Sequence, residues 1–350
     1  MDARERVRRA LTCQRPDRIP KALGFYPMSL PDLDPIAPED YFGLDVRFVE
    51  FAPPAGQDDF RQYLKSLPAD VHVGSPAQLR TYHEWGYHPE IEADRPLGHA
   101  RSVDELAAFV FPDLTDPSRY ADVGEQVARW HRAGLAVAGA PPHLGGELFE
   151  AAWRLRGFKT FLTDLVIHKP LAHYLLDQLT AMVIHSTLIL ARAGVDILLL
   201  DDDIAMPTGL LLSLDTWREF FKPRLTEIIR LARQAAPDLI IFYHCDGDFT
   251  ELVPDLIDIG VNVINPVQPD CMDARALKRA FGDRLALWGT VGAARTWDHG
   301  SPELIRAEVQ TRIAGLGPEG LLLAPAYDID FAPFPNIAAF CAAVDEFGRL

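Results

Sequence analysis

From about Leu135 onward the apolar positions gather into short continuous runs, each followed by polar, Gly or Pro residues and then by a longer segment with helical spacing. The runs are LAVAGAP (135–141), VDILLLDDD (195–203), LIIFYHCDG (239–247), VNVINPVQP (261–269), LALWGTVG (285–292) and LLLAPAYD (321–328); KALGFYP (21–27) is a candidate to open the series. Runs that are apolar along their whole length read as strands buried on both faces, as in parallel sheets. Between them Leu171, Leu175, Leu179 and Met182 share one helical face, with Gly194 as a stop, and Ser301 before Pro302 reads as an N-cap and first-turn pair. Alternating strands and helices of this kind predict a parallel α/β architecture.

Where the polar residues fall decides between an open sheet and a closed one. Every predicted strand ends in a chemically capable group: His143, Asp201 to Asp203, His244 to Asp246, Gln268 with Asp270, Thr290, and Tyr327 with Asp328. A (β/α)8 TIM barrel gathers the C-terminal ends of all its strands at one mouth, whereas an open sheet exposes a crevice at one switch point. The barrel is therefore expected. No G-x-G-x-x-G follows a strand and no G-x-x-x-x-G-K-[ST] occurs, which argues against a dinucleotide or P-loop site. Residues 1–130 read as an N-terminal elaboration folded on the barrel, residues 131–350 carry the clear repeats, and no linker divides residues 1–350 into more than one domain.

Charge narrows the partners. The 350 residues hold 34 Lys and Arg against 50 Asp and Glu, a net charge of −16. Such a surface lacks the cationic face that nucleic acid or anionic lipid requires, so neither is expected. No uninterrupted apolar run reaches the ~18 residues of a membrane span. Met1 to Arg9 alternates charges with no apolar signal core, and the four scattered cysteines (Cys13, Cys245, Cys271, Cys341) suggest a reducing compartment; the expectation is cytoplasmic.

The candidate chemistry sits at the strand ends. Alternate strand residues point the same way, so His244 and Asp246 can face one site while Cys245 points elsewhere. Imidazole and carboxylate suit a metal, and they equally suit a metal-free hydrogen-bonded pair; both readings stay open. Three adjacent carboxylates at Asp201 to Asp203 favour a bound cation or a polar substrate, with at least one of Asp202 and Asp203 in the mouth. Glu147 and His143, Gln268, Tyr327 and Asp328 are candidate substrate contacts, and Cys271 could give a thiolate to a metal at His244. Arg154 and Arg156 are expected to form salt bridges on a helix surface.

Taken together, RERVRRALTCQRPDRIP, HEWG (83–86), ELFEAAWRLRGF (147–158), GVDILLLDDD (194–203), HCDG (244–247) and DIGVNVINPVQPDCMDARALKRAFGDRLALWGTVG (258–292) resemble the uroporphyrinogen decarboxylase superfamily. Within it the chain resembles the corrinoid-dependent methyltransferase branch, because KALGFYPMSLPDLDP has Lys21 but no arginine cluster of the kind that binds a porphyrinogen. The resemblance implies a barrel with its site at the C-terminal mouth. In that branch a zinc on a His-x-Cys pair and a later Cys activates a thiol; here the string is His244-Cys245-Asp246, and APAYD (324–328) has no Cys.

The implied function is transfer of a methyl group between a corrinoid on a separate protein and a small thiol or tetrahydrofolate. His244 and Asp246 would bind zinc, with Cys271 as a further ligand, or would polarise the acceptor. Asp202 and Asp203 would contact the acceptor. The alternatives are a metal-free decarboxylase or lyase on a small acid or tetrapyrrole-like substrate, and a non-catalytic ligand-binding barrel.

Overall fold

The computed structural model describes residues 1–51, 95–111, 113–143, 145–292, 295–327, 329 and 332–350. Seven parallel strands pair in chain order: β1 (Val46–Phe48), β2 (Ala136–Gly139), β3 (Ile197–Asp201), β4 (Ile240–His244), β5 (Val263–Asn265), β6 (Ala286–Val291) and β7 (Leu321–Pro325). The sheet curls until residues 20–22 bridge its two edges. Ala22 N donates to Leu323 O and Leu323 N to Pro20 O, both at 3.0 Å, while Asp45 N donates to Lys21 O at 3.2 Å. This short segment supplies the eighth stave, so the (β/α)8 architecture holds and the 21–27 run does open it at Lys21.

Strand β1 was not among the expected runs because Arg47 interrupts it. The Arg47 side chain is buried and donates to the carbonyls of Leu44 and Val46 and to Asp40. With its donors matched locally, a charged residue sits inside a buried strand.

Each strand divides its residues by parity. Val46, Ala138, Leu199, Phe242, Val263, Trp288 and Leu322 belong to one cluster, the barrel interior, which Val7 and Leu11 of α1 (Ala3–Leu11) close from below. Leu198, Leu200, Ile241, Tyr243, Ile264 and Leu287 belong to the larger layer between strands and helices. At the lower rim Asp196 accepts from Arg4 Nε and Val137 N, and pairs with His131 Nε2. Asp45 accepts from Arg6, Arg18 and Lys21 N. These pairs fasten the barrel end away from the mouth.

The helix Lys169–Ala193 has the length and apolarity of a membrane span, yet Leu171, Leu175, Leu179 and Leu190 are buried, and it packs on the helix Lys222–Ala235. Gly194 ends it at φ 87°, and Ser301 caps the helix Pro302–Leu316 by accepting from Leu304 N, both as expected from sequence.

Candidate active site

The site grows from one layer of the barrel. Asp201 ends β3, His244 ends β4 and Asn265 ends β5, and strand register aligns Asp201 with His244 and His244 with Asn265. All three continue the interior parity of Leu199, Phe242 and Val263, so their side chains rise into the mouth. His244 Nδ1 lies 2.5 Å from Asn265 Oδ1, and Asn265 Nδ2 donates to Trp288 O at 2.9 Å. The second bond orients the amide with its oxygen toward the ring. Nδ1 must then carry the proton, which leaves the Nε2 lone pair facing the cavity in the neutral imidazole. Phe25 covers the ring, stacked at 4.3 Å between centroids.

Nε2 faces carboxylates. It is 3.9 Å from Asp201 Oδ1, 3.6 Å from Asp203 Oδ1 and 3.7 Å from Asp246 Oδ1. Asp203 Oδ1 accepts from Asp246 N at 2.5 Å, and Asp246 Oδ1 accepts from Gln268 Nε2 at 2.9 Å. Gln268 Oε1 in turn accepts from Gly247 N. Asp201 Oδ1 is buried with no hydrogen-bond donor. Burial, followed by the charge of Asp203, pushes the Asp201 carboxyl well above the usual carboxylate range.

Ligand atoms of Asp201, Asp203 and His244 all lie within 4.8 Å of one another. A tetrahedral ion with bonds of about 2.1 Å needs ligand spacings of about 3.4 Å, so a small inward closure would bring the three together on one cation. The donor set therefore fits a divalent cation held by nitrogen and oxygen, zinc included. Asp246, the fourth group, shares its oxygen with Gln268.

The loop after β2 completes the wall. Glu147 N donates to Asp201 O, and Asp201 N donates to Glu147 Oε2 at 2.5 Å, which ties the loop to β3. Gly146 is required there because a Cβ would sit 2.7 Å from Asp201 O and from Asp202 Oδ1. Asp202 turns away from the cavity and accepts from Phe149 N and Glu150 N, the first amides of the helix Phe149–Arg156. Burial raises its carboxyl to about 8 and that of Glu150 to about 7. Glu150 Oε1 accepts from Arg154 Nη2 at 2.6 Å. Arg154 and Arg156 do form salt bridges, but both are buried, a correction to the expected surface placement: Arg154 lines the cavity and Arg156 pairs with Asp164 at 2.7 Å. Helix Phe149–Arg156 is covered on every side, which its charged residues hid.

Several candidates lie farther out. Cys245 is fully buried in the outer layer. Cys271 is half-buried, donates to Gln268 Oε1 at 3.5 Å and lies outside the three-ligand cluster; burial pushes its thiol up to about 11. Tyr327 lines the cavity and donates to Asp270 Oδ2 at 3.0 Å. His143 Nδ1 is buried without a partner, and burial lowers that imidazole to about 4. Asp328 lies outside the described residues. Sequence reasoning missed Asn265, Phe25 and Glu150. The two-residue period of β5 places Asn265 in the interior, so parity could have found it.

The described residues enclose a cavity of about 270 Å³ lined by Leu23 to Tyr26, Met28, Glu150, Arg154, the carboxylates, His244, Asn265 and Tyr327. Residues 133–347 match the sequence profile of the uroporphyrinogen decarboxylase (URO-D) family. The chain belongs to the uroporphyrinogen decarboxylase family. A curated relative, the uroporphyrinogen decarboxylase of Salinibacter ruber, is 26% identical over 256 residues, 70% of this chain and 68% of the relative. The solved structure of a methyltransferase from Methanosarcina mazei superposes with TM-score 0.66 over 99% of both chains at 20% identity, a likeness of fold.

Proposed function

We propose that this family member is a methyltransferase, moving a methyl group between a corrinoid carried on a separate protein and a small thiol or tetrahydrofolate. The observation that supports it most is His244 Nε2, the ring nitrogen turned away from Asn265, standing 3.6 to 3.9 Å from carboxylate oxygens of Asp201, Asp203 and Asp246 at the floor of the cavity. Such a pattern suits a cation and repels an anion. A divalent cation such as zinc, when bound there, supplies Lewis acidity that lowers the pKa of a thiol. His244, Asp201 and Asp203 would hold it, with Asp246 beside them. Asn265 keeps the His244 tautomer, Gln268 orients Asp246, and Phe25 shields the imidazole face from water.

The decarboxylase alternative needs cationic side chains for substrate carboxylates. Among the described lining residues the one arginine or lysine is Arg154, already bonded to Glu150. That wall is poorly suited to a polycarboxylate tetrapyrrole. The test is incubation of zinc-loaded protein with methyl-cobalamin and a panel of small thiols or tetrahydrofolate, following the corrinoid spectrum and the methylated product. Demethylation matched by product, and lost in His244→Ala, is expected. No demethylation above the protein-free rate with any acceptor would overturn the proposal.

A further inference from the structure

We propose that Cys13 and Lys278 form an oxidative modification site at the lower rim of the barrel, where hydrogen peroxide joins the thiol and the amine through a sulfur–nitrogen bond. The inference is independent of the methyl-transfer reading, because both residues lie at the barrel end opposite the mouth.

Three elements meet there. Cys13 follows α1 at φ 56°, and its N donates to Ala10 O at 3.2 Å. Lys278 belongs to the helix Ala274–Phe281, and its Nζ donates to the carbonyls of Glu319 and Gly320, just before β7. Gly320 stands between the two side chains: a Cβ there would sit 2.6 Å from Lys278 Nζ and 3.2 Å from Cys13 Sγ. The thiol and the amine thus flank one point of backbone. Gly320 has φ 65°, so its left-handed conformation and this double contact both favour glycine.

The surroundings suit the chemistry. Among the described residues Lys278 Nζ forms no ion pair, and its partners are the two carbonyls. Burial lowers its pKa, which raises the share of neutral amine. Two N–H bonds serve the carbonyls, so the third proton is the one to leave, and the lone pair it uncovers is available to an electrophilic sulfur. Cys13 is half-buried, open to a molecule as small as peroxide. Burial raises its thiol while the Lys278 charge acts the other way, so the reaction accelerates with pH.

Two steps complete the bond. The Cys13 thiolate attacks peroxide; an S–O bond forms, the O–O bond breaks and hydroxide leaves, so sulfur is oxidised by two electrons and peroxide is reduced. The Lys278 lone pair then attacks the sulfenic sulfur. An S–N bond forms, the S–O bond breaks, and the departing hydroxide takes the amine proton as water, with no further oxidant consumed. Thiol, amine and one peroxide give the bridge and two waters.

The test treats the full chain with about a tenfold excess of hydrogen peroxide, blocks remaining thiols, digests without reductant and reads peptide masses. A linked peptide holding Cys13 and Lys278, about 2 Da lighter than the two together, is expected, and it should disappear on adding dithiothreitol. Cys13→Ser and Lys278→Arg should both lose it, the second while Cys13 is still oxidised. The wild-type digest decides the matter even if a variant fails to fold. Cys13 oxidised with no link to Lys278 would overturn the proposal, as would a Cys13 that peroxide leaves untouched. A link about 14 Da heavier than the free pair would also overturn it, since the bridge would then be S–O–N.

Discussion

His244 Nδ1 and Asn265 Oδ1 lie 2.5 Å apart, and this pair determines which imidazole nitrogen faces the barrel mouth. Because Asn265 Nδ2 is held by Trp288 O, the amide cannot turn to offer its nitrogen without losing a buried bond. Asn265→Ala is expected to lower metal affinity by about 10- to 100-fold, measured against a chromophoric chelator. Unchanged affinity in a folded variant would show that the tautomer is set elsewhere.

Asp202 differs from its neighbours in where it points. By accepting from Phe149 N and Glu150 N it stabilises the helix that carries Glu150 and Arg154. Asp202→Ala should cost about 1–2 kcal/mol in denaturant unfolding. Metal stoichiometry should stay at the wild-type value. Loss of metal with no loss of stability would place Asp202 among the ligands.

The Arg154–Glu150 pair is fully enclosed. Arg154→Leu should destabilise the protein by about 3 kcal/mol, because Glu150 is left in a buried site without its partner. Thermal and urea unfolding both read this. A change below about 0.5 kcal/mol would mean that the pair is solvated like a surface one.

Burial raises Glu150 from 4.5 to about 7. The native state therefore keeps a proton that the unfolded chain has already released. Its stabilising contribution is complete below about pH 4.5 and is lost as pH rises through about 7. Asp201, Asp202 and Glu147 are shifted in the same direction, each first by burial. In chelator, the melting temperature should fall across this window, and Glu150→Gln should flatten the slope. A melting temperature that rises over the same range would contradict the assignment.

Cys271 reports on the rim. With its thiol near 11, alkylation by iodoacetamide at about pH 8 should run about two orders of magnitude slower than for a free thiol and accelerate with pH. Peptide mapping separates it from Cys13. Reaction at the free-thiol rate would show a thiolate at neutral pH.

The barrel was legible because its strands are buried on both faces and announce themselves as apolar runs, whereas β1 was hidden by Arg47, whose charge is matched by local carbonyls. His244 and Asp246 were legible from alternation along one strand. Asp202 and Asp203 were not separable by sequence, since the strand ends at Asp201 and the side chains beyond it follow the loop. Contacts from other elements, such as Phe25 on His244 and Glu147 on the Asp201 backbone, depend on how residues 23–28 and the loop after β2 fold over the mouth, which no local pattern encodes.

The central claim is a cation held by His244, Asp201 and Asp203. Elemental analysis of protein purified without chelator, with His244→Ala, Asp201→Asn and Asp202→Ala in parallel, tests it most directly. About one divalent ion per chain is predicted in the wild type and in Asp202→Ala, with loss in the other two. No ion in a folded wild type given excess metal, or an ion retained in both His244→Ala and Asp201→Asn, would contradict it.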